Sequence, residues 1–255
     1  MVVMNNLLSY YYEDHKGNIT KEYLIDHVKY GLEIIGKKRS SRIYKYMSNL
    51  SPGFLSLIKL AFIFHDTGKV FYQSNYKVND KGERYLSFIG HEWFSSYIFM
   101  EYREELIEED MYGNYRELDC VFLSILYHHH ALNIRRRKPC VKELEINIWE
   151  LEELINELIQ LDAFIDDGGV FNRAIGNVRR KLREVKNLLE NAILQVDEEN
   201  RKTWRNFISS SKARKLFLSV LSVIIATDYV ASQKRGQGRS RFYKSVEDFV
   251  NLYMS

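Results

Sequence analysis

The chain of 255 residues is poor in the residues that build small stapled or turn-rich folds: it has two cysteines, two prolines and 13 glycines. Cys120 and Cys140 cannot form a disulfide framework, and their spacing matches no zinc motif. A reduced, cytoplasmic setting is the simple expectation. So few prolines and glycines disfavour an all-β fold. Charge of one sign is also lacking, since 37 basic and 34 acidic side chains leave a formal net charge of +3. That excludes a general affinity for polyanions. Long apolar runs are missing too. The most apolar stretch, Leu216 to Ala226, is about half a membrane span and is interrupted by Ser219 and Ser222, so no membrane partner is expected. The opening MVVMNNLLSYYYEDH has neither a basic n-region nor an apolar core of signal-peptide length. Against these absences stand 45% hydrophobic and 14% aromatic residues, enough for a folded chain. The length suits one domain over residues 1–255.

Helical periodicity runs through almost the whole sequence. Leu24, Val28, Leu32 and Ile35 recur at spacings of three and four, which is one apolar helix face over 21–36. Ser51-Pro52 reads as a cap and first-turn proline of a helix whose apolar run ends at Phe64. Residues 67–88, with Gly68, Asn79-Asp80 and Gly82, read as a loop or short hairpin. Helices are expected at roughly 90–106, 117–131, 143–165, 171–195, 212–232 and 245–254. Of these, 143–165 and 171–195 are long, charged and amphipathic, joined by Asp166-Asp167-Gly168-Gly169, and form an expected αα-hairpin within 143–195. The fold class is all-α.

The chemistry concentrates in FIFHDTGKV, residues 62–70. His65 and Asp66 point about 100° apart on a helix, so they can flank one ion without stacking on each other. Alone, such a pair is an ordinary buried hydrogen-bonded couple. It has company. His27 follows Asp26 on the first amphipathic helix. His91 opens the helix IGHEWFSS. His128, His129 and His130 close the helix in ILYHHHA. Asp228 lies in IIATDYVAS, inside an apolar helix where an ionised carboxylate is costly unless paired or ligating. Each residue has a structural reading of its own: a core histidine, a helix-entry residue, a surface cluster, an arginine's partner. Together they give the order H…HD…H…HH…D on helices expected to pack around one core.

That order, carried by HDTGK (65–69), HEWFSS (91–96) and YHHHA (127–131), resembles the HD superfamily of metal-dependent phosphohydrolases. It looks most like the HD nuclease of type I CRISPR interference. The chain has no Walker-type GKS or GKT string, which implies the stand-alone nuclease subunit rather than a fusion with a helicase. The resemblance implies an HD-domain helical bundle and two divalent ions. His27, His65, Asp66 and Asp228 would hold the first, and His91, His128 and His129 the second, with Asp66 bridging. The family has two histidines followed by a small residue where this chain has three. Helix geometry forbids all three from facing one site. The inward face through Val121 and Ile125 selects His128 and His129, whereas registering the small residue on Ala131 selects His129 and His130. Mixed imidazole and carboxylate ligands favour Mn, Fe, Co or Ni, with Mg as a further candidate. His65 and Asp66, with Lys69 beside a phosphoryl oxygen or orienting Asp66, are the expected catalytic residues. Glu92 is a candidate partner for a ligating histidine.

Two basic clusters follow the expected ligands: Arg135-Arg136-Arg137-Lys138 after the triplet, and Lys234, Arg235, Arg239 and Arg241 after Asp228. Arg135, Arg136, Lys234, Arg235 and Arg239 are therefore candidates to track a nucleic-acid backbone. The expected function is metal-dependent cleavage of single-stranded DNA, endonucleolytic with exonuclease action as a further expectation. The family implies a helicase subunit and an RNA-guided surveillance complex as partners. The alternative is an HD phosphohydrolase acting on a nucleoside triphosphate, an alarmone or a cyclic dinucleotide. The last usually carries a GYP string after the double histidine, where this chain reads ALNIRRRKPC. A catalytically silent helical docking module is the third reading.

Overall fold

The computed structural model describes residues 6–108, 115–129, 137–165, 169–184, 187–207, 209–235 and 241–254. It is mostly α-helical, with one small sheet. The helices are α1 (Leu24–Lys37), α2 (Arg42–Leu50), α3 (Phe54–Phe64), α4 (His91–Glu108), α5 (Tyr115–Tyr127), α6 (Ile148–Ile159), α7 (Val170–Glu184), α8 (Leu188–Phe207), α9 (Ser211–Ser232) and α10 (Arg241–Tyr253). Four short antiparallel strands pair in the order β2-β1-β4-β3, with β1 at Leu8–Glu13, β2 at Ile19–Tyr23, β3 at Tyr76–Val78 and β4 at Arg84–Leu86.

The core explains which helices sit at the centre. In α3, FLSLIKLAFIF, eight of the 11 residues are buried and only Leu55, Ser56 and Lys59 reach solvent, so the helix lies mostly inside the molecule. α4 is buried continuously from His91 to Arg103, enclosed by α5, α7, α8 and the turn that follows α3. α9 packs on α5, α1 and α3. By length and hydropathy alone α9 could cross a membrane, yet Leu216, Phe217, Val220, Leu221, Val223 and Ile224 are buried in the bundle. Its start is capped by Ser210, whose hydroxyl accepts from the Ala213 N–H at 3.2 Å.

The structure departs from the sequence expectations at several places. Within 67–88 the expected short hairpin is present as β3–β4, and what was not expected is the 3-10 helix Thr67–Tyr72 before it. β1 and β2 and the short helix α2 were not anticipated. Ser51 ends α2 rather than capping α3, since its N–H bonds the Met47 carbonyl; α3 starts at Phe54 after a turn containing Pro52. The hairpin expected over 143–195 is two shorter helices, α6 and α7, packed together with α7 against α4. A new helix, α8, begins after Asn187, whose φ of 53° is left-handed backbone that asparagine tolerates better than most residues.

Candidate metal centre

Five elements deliver the site. His27 lies on α1, His65 and Asp66 at the end of α3, His91 at the first turn of α4, His128 and His129 just past α5, and Asp228 on α9. They form two groups that share one residue: His27, His65, Asp66 and Asp228; and Asp66, His91, His128 and His129. Within each, ligand atoms lie within 4.8 Å of one another. His27, His65, Asp66, His91 and His128 are buried; Asp228 is partly exposed and His129 sits at the open end.

Local backbone geometry aims the rings. His65 Nδ1 lies 2.6 Å from the Phe62 carbonyl, His91 Nδ1 2.7 Å from the Phe88 carbonyl, and His128 Nδ1 2.6 Å from the Ile125 carbonyl. A carbonyl can only accept, so each Nδ1 carries the hydrogen and each Nε2 keeps its lone pair. Those three Nε2 atoms, His27 Nε2 and Asp66 Oδ1 are buried without a hydrogen-bond partner. Buried lone pairs left in this way are costly, and here they converge.

Asp66 is divided between the groups. Its Oδ1 lies 2.9 Å from His91 Nε2 and 4.0 Å from His128 Nε2. Its Oδ2 lies 3.4 Å from His65 Nε2 and 3.8 Å from His27 Nε2. Asp228 Oδ1 stands 3.1 Å from His27 Nε2 and 3.8 Å from His65 Nε2. With metal–ligand bonds of about 2.1 Å, ligands at right angles lie about 3 Å apart. These contacts match atoms gathered around a cation better than aligned hydrogen bonds. Imidazole and carboxylate donors suit a divalent transition metal, so the residues fit such an ion.

The electrostatics follow from this crowding. Burial works against the charge on Asp66 and Asp228, but His65, Lys69 and His91 around Asp66, and His27 and His65 around Asp228, hold both carboxyls well below the usual range. For His27, burial opposes protonation, yet Asp228 and Glu22 outweigh it and raise the pKa to about 9. Burial, reinforced by His65 and His91, pushes His128 down to about 3, leaving a neutral imidazole of the kind that ligates.

Glycine is required in HDTGK for packing. A Cβ on Gly68 would overlap the His91 carbonyl oxygen and crowd the Ser95 nitrogen, and the Gly68 N–H donates to Ser95 Oγ at 2.8 Å. That close approach sets Asp66 against the first turn of α4. Lys69 is buried; its ammonium donates to Asp66 Oδ2 at 2.6 Å and to the Ser9 carbonyl at 3.2 Å, so it orients Asp66.

The basic residues fall differently. Arg235 is bound by Glu22, with Nε 2.7 Å from Oε2, and its guanidinium backs His27 instead of standing free in a groove. Lys234 is exposed, its ammonium 3.2 Å from the centre of the Tyr30 ring. Arg137 pairs with the buried Glu92 at 2.5 Å, while Glu92 comes no nearer than 3.6 Å to His91 Nδ1. Arg135, Arg136, Arg239 and His130 lie outside the described residues. Glu22 and Ser9 were missed by sequence reasoning; Glu22 precedes His27 by five residues across a strand–helix junction, a separation with no helical meaning. No protein-family model, curated protein or solved structure matches the chain.

Proposed function

We propose that the chain is a metal-dependent phosphohydrolase of the HD type that hydrolyses phosphodiester bonds, with single-stranded DNA as its substrate. One observation carries the reading: unpartnered imidazole nitrogens from separate elements face opposite oxygens of one buried carboxylate. The order of these residues along the chain is the order of the HD motifs. His27, His65, Asp66 and Asp228 would hold one divalent ion, and Asp66, His91, His128 and His129 a second. When bound, such ions lower the pKa of a water and neutralise the phosphoryl oxygens. The chain's own contribution is positional. Lys69 holds the Asp66 carboxylate in place between the groups. The carbonyls of Phe62, Phe88 and Ile125 fix the tautomers of His65, His91 and His128. His129 and Asp228 lie on the open side, where a phosphodiester has access. A helicase subunit and an RNA-guided surveillance complex are the setting that the resemblance implies.

A second reading, turnover of a free nucleotide, has its own support. Arg235 and Arg137, which reach the surroundings of His27 and His91, are neutralised by Glu22 and Glu92 and offer little to a long polyanion. One experiment decides. The protein is incubated with circular single-stranded DNA and, separately, with a nucleotide panel, in Mn2+, Co2+, Ni2+ or Mg2+ and in chelator. Metal-dependent opening of the circle supports the nuclease; nucleotide turnover with an intact circle replaces it with the second reading.

A further inference from the structure

His27 differs from the other ligating histidines in what stands behind it. Nδ1 of His65, His91 and His128 faces a main-chain carbonyl of its own local turn, whereas Nδ1 of His27 faces the Glu22 carboxylate at 3.2 Å. Glu22 lies on β2 and is held from two sides. The Ser9 hydroxyl donates to its Oε2 at 3.0 Å, and the Arg235 guanidinium binds the same oxygen, with Nε at 2.7 Å. Ser9 sits where the register of β1 against β2 slips between Leu8 and Tyr10. Such irregularities turn a side chain inward, and Ser9 is buried in an otherwise half-exposed strand. Its carbonyl takes the Lys69 ammonium that holds Asp66. One strand irregularity thus braces both a bridging carboxylate and a histidine.

Arg235 makes the arrangement informative. Its Nη2 meets His27 Nδ1 in hydrogen-bonding geometry at 3.4 Å, while Glu22 approaches the same nitrogen as an ion pair at 3.2 Å. Two donors cannot share a hydrogen bond, so the guanidinium and the carboxylate compete for the tautomer of this ring. With Glu22 accepting, Nδ1 keeps its hydrogen, and a cation that displaces the proton on Nε2 takes that nitrogen as a ligand. With Glu22 gone, Nδ1 can accept from Arg235, the hydrogen moves to Nε2, and the ligand lone pair is lost.

We propose that Glu22 is a positioning residue for the metal centre: by accepting from His27 Nδ1 and occupying Arg235, it selects the tautomer that binds a divalent cation. The inference rests on the metal-centre reading above.

The test is Zn2+ affinity by calorimetry in a His91→Ala background, where only the His27 group is whole. Glu22→Ala is expected to weaken binding at least about tenfold, the usual scale for losing a ligand's outer partner. Adding Arg235→Ala to Glu22→Ala should restore part of that loss, because the competing donor is gone. Glu22→Gln, which keeps an acceptor oxygen, should lose little. Unchanged affinity in Glu22→Ala, or a double variant that binds no better than Glu22→Ala, overturns the proposal. The unmutated protein provides a reading independent of how any variant folds. Nitrogen-15 NMR with Zn2+ should show hydrogen on His27 Nδ1 and metal on Nε2; hydrogen on Nε2 overturns it. Failure of the unmutated protein to bind Zn2+ removes the metal-centre reading, and this proposal with it. Binding that ignores Glu22 removes this proposal alone.

Discussion

One helix, α4, contributes a buried ionisable side chain to each of two charged clusters about 18 Å apart along its axis. At its first turn His91 joins the Asp66 centre. Three turns later Arg103 is clamped between Asp119 of α5 and Glu199 of α8, at 2.9 and 2.7 Å. Glu199 is met further by Lys202 and Thr203, each at 3.4 Å. Of the fully buried polar atoms in that trio, Arg103 Nε is the one without a hydrogen-bond partner. The Arg103 cluster answers its own charges, so it needs nothing from outside. The Asp66 centre leaves Nε2 of four histidines and one carboxylate oxygen unanswered, all aimed at a common space. Burial of charge therefore does not by itself separate a site from a structural clasp; the direction of unsatisfied lone pairs does.

Asp66→Asn should break the comparison on the site side with the largest effect. Metal-dependent cleavage is expected to fall by roughly 10²–10³-fold, the scale of removing a preorganised electrostatic group. The same change should abolish the thermal stabilisation that saturating Mn2+ gives the unmutated protein. A hundredfold excess over Kd is worth about 2.7 kcal/mol, or roughly 5–10 °C for a chain of this size. Calorimetric scans with and without Mn2+ check this. A variant that is still stabilised by Mn2+ would make Asp66 a clasp residue like Arg103.

Arg103→Ala tests the other side. It strands the half-buried Asp119 and Glu199 without their cation, which should cost about 2–3 kcal/mol in urea unfolding. Mn2+ affinity should stay as it was, because no ligand touches Arg103. A parallel loss of affinity and stability would erase the distinction between the two clusters.

The bundle and the ligands were legible in the sequence for different reasons. Helices such as α1 and α3 show themselves because burial has a period or an unbroken run, as in Leu24–Val28–Leu32–Ile35 and FLSLIKLAFIF. The ligands show themselves by residue type, since His65-Asp66, His91 and His128-His129 are costly to bury without a purpose. The sheet was not legible. In β1, LSYYYE, one residue is buried and the rest are half-exposed, so no alternation marks it as a strand. α2 buries only Tyr44 and Met47, too little to show a face. The break before α8 includes a left-handed Asn187, a backbone state that the amphipathic pattern does not reveal. Glu22 was hidden because its partner is set by the sheet, whose presence the sequence did not disclose.

Glu157 sharpens the contrast from between the two extremes. It is buried on α6; its Oε1 accepts from the Leu7 N–H at 3.1 Å and its Oε2 has no partner. An unanswered oxygen is present, as at Asp66, but no imidazole converges on it. Burial accordingly raises its pKa from the ordinary 4.5 to about 8, whereas the Asp66 carboxyl is held down by its cationic neighbours. The sign follows from which form each state prefers. The folded state favours protonated Glu157, so its contribution is fully present below about pH 4.5. It is lost progressively as the pH rises through about 8. Each pKa unit is worth ~1.4 kcal/mol. Glu157→Gln should therefore match the unmutated protein near pH 4 and exceed its stability at pH 9 by on the order of 5 kcal/mol, with Mn2+ affinity unchanged. Urea titrations at the two pH values measure the first part and calorimetry the second. A variant with the original pH dependence would show that the lone Oε2 has an unseen partner. A variant with weakened Mn2+ binding would show that one orphaned oxygen can mark a metal site without convergent imidazoles.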